Sequence, residues 1–179
     1  MRGWASRLSE LGRVVCFDYP YMVDGRRRPD PQPKLVDAHR RALAEARSSH
    51  DGPLILAGKS MGGRIGCHVT LEEPVDALIC LGYPLRGAGK TANVRDQVLL
   101  ELGTPVLFVQ GRRDALCPLE LLASVRERMT ANSRLYVVDD GDHSLAPTRT
   151  FLRTAGETQA DVDRRILEQI RSFLDQYAT

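Results

Sequence analysis

The stretch Gly58-Lys59-Ser60-Met61-Gly62-Gly63 sets one hydroxyl between glycines, directly after the apolar run Leu54-Ile55-Leu56-Ala57 and before a helical pattern. A serine on a sharp strand-to-helix turn stands clear of the sheet as a nucleophile, and such a turn accepts only small flanking residues. On this reading, side chains at Gly58 and Gly62 would collide with neighbouring backbone. Ser60 also falls at a helix N-terminus, where free N–H groups favour negative charge, so the Met61 N–H is placed to donate to an oxyanion. A serine hydroxyl needs a base to take its proton. The base needs a carboxylate to fix its tautomer and stabilise the imidazolium. Two later loops offer these groups in order. Asp114 lies in Gly111-Arg112-Arg113-Asp114-Ala115, after the apolar run 105–110. His143 lies in Asp139-Asp140-Gly141-Asp142-His143-Ser144, after the run 135–138. His39, His50 and His68 fall in or beside helical patterns instead. Asp142 adjoins His143, and neighbours in a tight loop point apart, so Asp114 is the better acid, with Asp139 and Asp140 in reserve. Together these side chains make an apparatus for acyl transfer.

The elements that must position them alternate along the chain. Strand-length apolar runs occur at 13–18, 53–57, 76–81, 105–110 and 135–138. They show little polar alternation, as strands covered on both faces should. Helical patterns occupy 2–11, 33–48, 60–72, 92–102, 118–129 and 158–176, the last with Val162, Ile166, Ile170, Phe173 and Leu174 on one stripe. The alternation predicts an α/β fold: a three-layer sandwich with a mainly parallel sheet of about five strands, in one domain over residues 1–179. The Pro/Gly-rich stretches 19–33 and 82–90 follow strand C-termini, the edge at which open parallel sheets bind ligands. Tyr19, Tyr21, Tyr83 and Leu85 are therefore candidate walls of a shallow pocket without a lid.

Composition narrows the function classes. With 42% hydrophobic and 27% charged residues and a net charge of +2, nothing favours nucleic-acid or membrane binding. No run has the length of a membrane span, and the N-terminal helix lacks the apolar core of a signal peptide, so the expected location is cytoplasmic. Cys16, Cys67 and Cys80 sit in apolar runs and read as small buried hydrophobes, while the four cysteines show neither CxxC pairing nor metal-ligand spacing. No metal or organic cofactor is implied. Gly87-Ala88-Gly89-Lys90-Thr91 brings a phosphate-binding loop to mind, but Pro84 stands where that pattern requires its first glycine.

These motifs resemble the α/β-hydrolase superfamily and its dienelactone-hydrolase-like branch. Within it, Gly58-Lys59-Ser60-Met61-Gly62-Gly63-Arg64, Leu81-Gly82-Tyr83-Pro84-Leu85, Gln110-Gly111-Arg112-Arg113-Asp114 and Gly141-Asp142-His143-Ser144-Leu145 resemble the testis-expressed/NSL-complex-subunit-3 type of hydrolase-like protein. The resemblance implies a serine hydrolase acting on small carboxylic esters or thioesters through Ser60, His143 and Asp114. The alternative is a non-catalytic interaction or scaffold protein that keeps the three residues as a relic. Proteins of this fold place several strands before the first helix, and a loop after the third supplies a second oxyanion N–H. This sequence opens in that helix. The expectations are a sheet shortened on its N-terminal side, Met61 as the one oxyanion donor, and an exposed sheet edge open to self-association or a partner.

Overall fold

A computed structural model of the chain describes residues 2–87 and 93–177. In chain order its elements are α1 (Arg2–Leu8), α2 (Pro20–Val23), α3 (Gln32–Ser48), β1 (Ile55–Lys59), α4 (Met61–Val69), β2 (Ala77–Leu81), α5 (Gln97–Leu100), β3 (Val106–Gly111), α6 (Leu119–Arg126), β4 (Ser133–Val138), α7 (Arg149–Ala155) and α8 (Gln159–Tyr177). The four strands pair in the order β1-β2-β3-β4, every pair parallel. Strands β2 and β3 are buried along their whole length, which is why their sequences are apolar runs, broken only by Gln110 near the end of β3.

Alternate strand residues feed two cores. Leu56, Leu78, Cys80 and Phe108 pack with Leu35, Leu43, Ile65 and Leu122 on the face covered by α3, α4 and α6. Ile79, Leu81, Leu107 and Val109 pack with Trp4, Leu8, Ile166, Ile170 and Phe173 on the face covered by α1 and α8. The predicted stripe of α8 is thus its buried face, except that Leu174 is only partly covered. Each large apolar side chain on it contributes on the order of 1.5–3 kcal/mol by burial. Among the described residues, no helix is long and apolar enough to cross a membrane.

Three expectations change. The run 13–18 forms no strand: it has no regular structure and is exposed, with Val15 at 51% of its free surface. Strand propensity cannot substitute for a neighbour to pair with, and β1 pairs only with β2. Cys16 is exposed with that segment, whereas Cys67, Cys80 and Cys117 are buried. Of the helical pattern 92–102 only Gln97–Leu100 is α-helix. Residue 92 and the Ala88-Gly89-Lys90-Thr91 part of the glycine-rich loop lie outside the described residues. Two helices were not anticipated: α2, with Pro20 in its first turn, and α7, capped by Thr148 and ended by Gly156 in the left-handed region.

His39, on the inner face of α3, is a buried histidine rather than a ligand. Its Nδ1 lies 3.4 Å from the Tyr19 hydroxyl, and its ring lies 5.0 Å from that of Phe17. Burial pulls its pKa down from 6.5 to about 4. The folded state therefore binds fewer protons than the unfolded chain between these values. Stability is complete above about pH 6.5 and falls as pH drops toward 4, by about 3 kcal/mol. Urea titrations at stepped pH are expected to show this decline in the parent protein and a flatter profile over that window in His39→Gln.

Candidate active site

The turn between β1 and α4 holds Ser60 at φ 53° and ψ −121°, a region that residues with a side chain seldom enter. Such a conformation costs on the order of 1–3 kcal/mol and persists only where the surroundings impose it. Here the Ser60 N–H donates to the Leu81 carbonyl at 2.9 Å, and the Ser60 carbonyl accepts from the Arg64 N–H at 3.2 Å. Gly58 permits the close return of the chain, since a Cβ there would lie 2.2 Å from the Gly63 nitrogen and 2.3 Å from the Gly62 carbonyl carbon. Gly62 is different from expectation: a Cβ on it would meet nothing within 4 Å. The second glycine required by packing is Gly63, whose Cβ would lie 2.9 Å from the Gly58 carbonyl oxygen. Gly58→Ala is expected to lose more than about 4 kcal/mol or fail to fold. Gly62→Ala should stay within about 1 kcal/mol of the parent. Denaturant midpoints of the two variants check both.

The candidate base arrives from the loop after β4. His143 Nε2 lies 2.8 Å from Ser60 Oγ, and Nδ1 lies 2.7 Å from Asp114 Oδ2. The three predicted side chains, from three separate loops, therefore form one continuous hydrogen-bonded line. The His143 loop is brought in by close contacts at two strand ends. A Cβ on Gly111 would lie 2.2 Å from the Asp142 carbonyl oxygen, and one on Gly82 (φ 64°) would lie 2.7 Å from that of His143. Lys59 Nζ donates to Ser144 Oγ at 3.2 Å, tying the serine turn to the same loop.

Both carboxylate oxygens of Asp114 accept hydrogen bonds. Its side chain has no exposed surface, and Oδ1 accepts from the Leu116 N–H at 2.8 Å. Oδ2 also accepts from Gln110 Nε2 at 2.5 Å, while Gln110 Oε1 accepts from the Tyr83 N–H at 3.0 Å. Gln110 was missed as a site residue, although one polar side chain closing the apolar run 106–109 was its signal. The reserve acids are committed elsewhere. Asp139 pairs with Arg112 at 2.7 Å and Asp140 with Arg113 at 2.9 Å. Hydrogen bonds from Thr148 hold the Asp140 carboxyl below its ordinary pKa. Asp142 Oδ1 accepts from the Ser144 and Ala146 N–H groups and shapes the His143 loop. No hydrogen bond among the described residues uses the Met61 N–H, so that donor remains open beside Ser60.

Two of the four proposed wall residues are corrected. Tyr83 and Leu85 have no exposed surface, and Tyr83 packs edge-on to Phe108 at 5.8 Å with its hydroxyl donating to the Arg95 carbonyl. They are core residues, because the chain turns inward after β2 instead of running along the rim. Tyr19 does border a cavity that also touches Gly58 and Gly62, and Tyr21 stacks on it at 6.3 Å. Burial pushes the Cys117 thiol up to about 12, and a hydrogen bond with Cys67 together with burial raises that of Cys80. Among the described residues, no cluster of three or more His, Cys, Asp or Glu side chains is arranged for a metal ion.

The parallel sheet with helices on its faces agrees with what comparison with known proteins shows. A family model described as an alpha/beta hydrolase domain matches residues 1–175. The chain belongs to the alpha/beta hydrolase domain family. Among solved structures, a dienelactone hydrolase from Anabaena variabilis superposes with a TM-score of 0.70 at 15% identity, covering 99% of this chain and 79% of that one. An alpha-beta serine hydrolase homologue from Coxiella burnetii gives 0.65 at 21% identity, covering 97% and 74%. At these identities the likeness is one of fold. "Protein sumv-2" of Caenorhabditis elegans is 34% identical over 108 residues, or 59% of this alpha/beta hydrolase domain chain, and the matched stretch spans 9% of that relative's length.

Proposed function

We propose that this chain is a serine hydrolase acting on small carboxylic esters or thioesters. The observation that carries the reading is the unbroken line from Ser60 Oγ through His143 to a buried Asp114, at 2.8 and 2.7 Å. Ser60 Oγ bonds to the carbonyl carbon while its proton passes to His143 Nε2, and Asp114 stabilises the imidazolium. The carbonyl oxygen takes up negative charge facing the Met61 N–H and the N-terminus of α4. The alcohol or thiol leaves with the proton from His143, and water then cleaves the acyl-serine by the same route. Burial of Asp114 and the strain held at Ser60 support this reading, because a fold without use for such a turn could relax it.

A second reading, an interaction protein that keeps the three residues without turnover, is favoured by one observation. The Met61 N–H is the one oxyanion donor identified among the described residues, and a site short of one donor loses about 10²–10³ in turnover. A series of p-nitrophenyl esters of increasing acyl length, assayed with purified protein and with His143→Ala, tests the choice. The hydrolase reading expects parent turnover above the variant, greatest for short acyl chains. Equal rates in two folded proteins would support the interaction reading instead.

A further inference from the structure

Arg64 stands in the first turn of α4, its N–H donating to the Ser60 carbonyl at 3.2 Å. A cation there meets the positive end of the helix dipole, and that turn holds no acidic residue to offset it. Other arginines of the chain pair with carboxylates: Arg40 with Glu72, Arg47 with Glu73, Arg112 with Asp139 and Arg128 with Asp96. Among the described residues Arg64 forms no such pair, and the residues outside them include no Asp or Glu. Its side-chain hydrogen bond among them runs from Nη1 to Gln32 Oε1 at 2.8 Å. Nε is buried without a partner, and Nη2 makes no hydrogen bond among the described residues. Gln32 therefore holds one end of the guanidinium. The edge left over is the Nε and Nη2 pair, the fork that receives two oxygens of a carboxylate or phosphate.

A second cation acts on the same spot. Arg95 is exposed, and its backbone is fixed by two bonds: its N–H donates to the Leu85 carbonyl at 2.6 Å, and its carbonyl accepts from the Tyr83 hydroxyl at 3.1 Å. Burial, and after it the charge of Arg95, hold the Arg64 pKa below its ordinary value. The next groups to act on Arg64 are Tyr83, Cys67 and Tyr19, none of them a carboxylate. His68, one turn further along α4, is pulled down in turn by burial and by Arg64. Glu101 acts on His68 as well, and Gln97 Nε2 donates to it at 2.5 Å. Two neighbouring cations without a counter-charge, one of them half-buried, weaken the fold unless an anion joins them. The spot lies beside the serine turn. Helix side chains lean toward the helix N-terminus, and Tyr19, on which Arg64 acts, borders the cavity that reaches Gly58 and Gly62.

We propose that Arg64, with Arg95 beside it, is an anion-binding subsite of the Ser60 site, so that the substrate is an ester or thioester carrying a second, anionic group, a carboxylate or a phosphate. The inference rests on the hydrolytic reading of Ser60 and adds to it the charge of the substrate. The anion lies against Nη2, and a small tilt of the guanidinium brings the covered Nε onto its second oxygen. Gln32 keeps Nη1 and with it the plane of the fork. Arg95, on the solvent side, draws the anion in more than it orients it. Held at this end, the substrate presents its carbonyl to Ser60 in one orientation.

Binding and turnover are read apart. Ser60→Ala, which lacks the nucleophile, is titrated by calorimetry with monomethyl adipate and with methyl phosphate. At least one of the two should bind about tenfold or more tightly than it binds Ser60→Ala/Arg64→Gln, and the tighter of the two tells carboxylate from phosphate. In turnover, mono-p-nitrophenyl adipate and p-nitrophenyl hexanoate share acyl length and leaving group and differ in the terminal carboxylate. A carboxylate subsite gives the adipate about a tenfold advantage in kcat/KM, which Arg64→Gln abolishes and Arg95→Gln, at an exposed position, reduces to about threefold. Arg64→Lys keeps the charge and loses the fork, so it should weaken anion binding in the same direction, and it replaces the glutamine variant should that one fail to fold. Anion binding that is absent, or equal with and without Arg64, would overturn the proposal, as would an adipate advantage that survives Arg64→Gln. Turnover of both esters without Arg64-dependent binding would remove the subsite alone. Arg64-dependent binding in a protein that cleaves neither ester would instead remove the hydrolytic reading and leave an anion site.

Discussion

Ser60→Ala is expected to reduce ester turnover by about 10³–10⁴-fold while leaving the fold intact. The size follows from two opposing effects. Removing the nucleophile of a complete serine apparatus costs on the order of 10⁶. A site with a single oxyanion donor starts about 10²–10³ lower, so less is left to lose. The same position carries a second consequence, because Ser60 is held at φ 53°, a conformation natural to glycine. Ser60→Gly should therefore be as inactive as the alanine variant and about 1 kcal/mol more stable than the parent, with relief of strain exceeding the added entropy of the unfolded chain. Ester kinetics and urea midpoints on the three proteins check the pair of effects. A glycine variant less stable than the parent would show that Ser60 is not strained.

Asp114→Asn should lower turnover by about 10³–10⁴-fold with a far smaller change in the affinity for substrate. The aspartate oxygens accept from Leu116, Gln110 and His143, three donors converging on two oxygens. An asparagine keeps one oxygen and presents an amide N–H₂ in place of the other. With its oxygen toward Leu116, the amide donates to His143 Nδ1 and forces the proton onto Nε2, the atom that must accept from Ser60. With the amide turned over, Leu116 N–H faces a donor in a buried pocket, which costs about 1–3 kcal/mol of stability. Separate measurements of kcat, KM and unfolding midpoint distinguish the two orientations: the first shows mainly as kcat, the second also as stability.

The sheet and the three hydrogen-bonded side chains of the candidate site were legible because each leaves a local mark. Doubly covered parallel strands must be mainly apolar, and β2 and β3 read that way; the serine turn needs glycine at position 58; and the candidate acid and base follow the next strands in order. What was not legible depends on partners distant in sequence. Residues 13–18 have strand composition, but no neighbouring strand lies against them. Gly62 was expected to be crowded and instead lines the cavity beside Tyr19, which depends on how distant segments pack around the turn. Tyr83 and Leu85 follow a strand end as rim residues do, yet the inward path of the chain after Gly82 buries them. Gln110 closes an apolar run like any polar strand end, and its bridge from the Tyr83 N–H to Asp114 exists only because β3 and the chain after β2 meet there.

Treatment of the folded protein with a fluorophosphonate, followed by proteolysis and mass spectrometry of the adduct, reads the reacting atom itself. The geometry predicts a phosphonyl group on the Ser60 hydroxyl, formed quickly in the parent, far more slowly in Asp114→Asn and His143→Ala, and not at all in urea-unfolded protein. A folded parent that acquires no adduct at Ser60, or acquires it just as fast without the imidazole at 143, would contradict it.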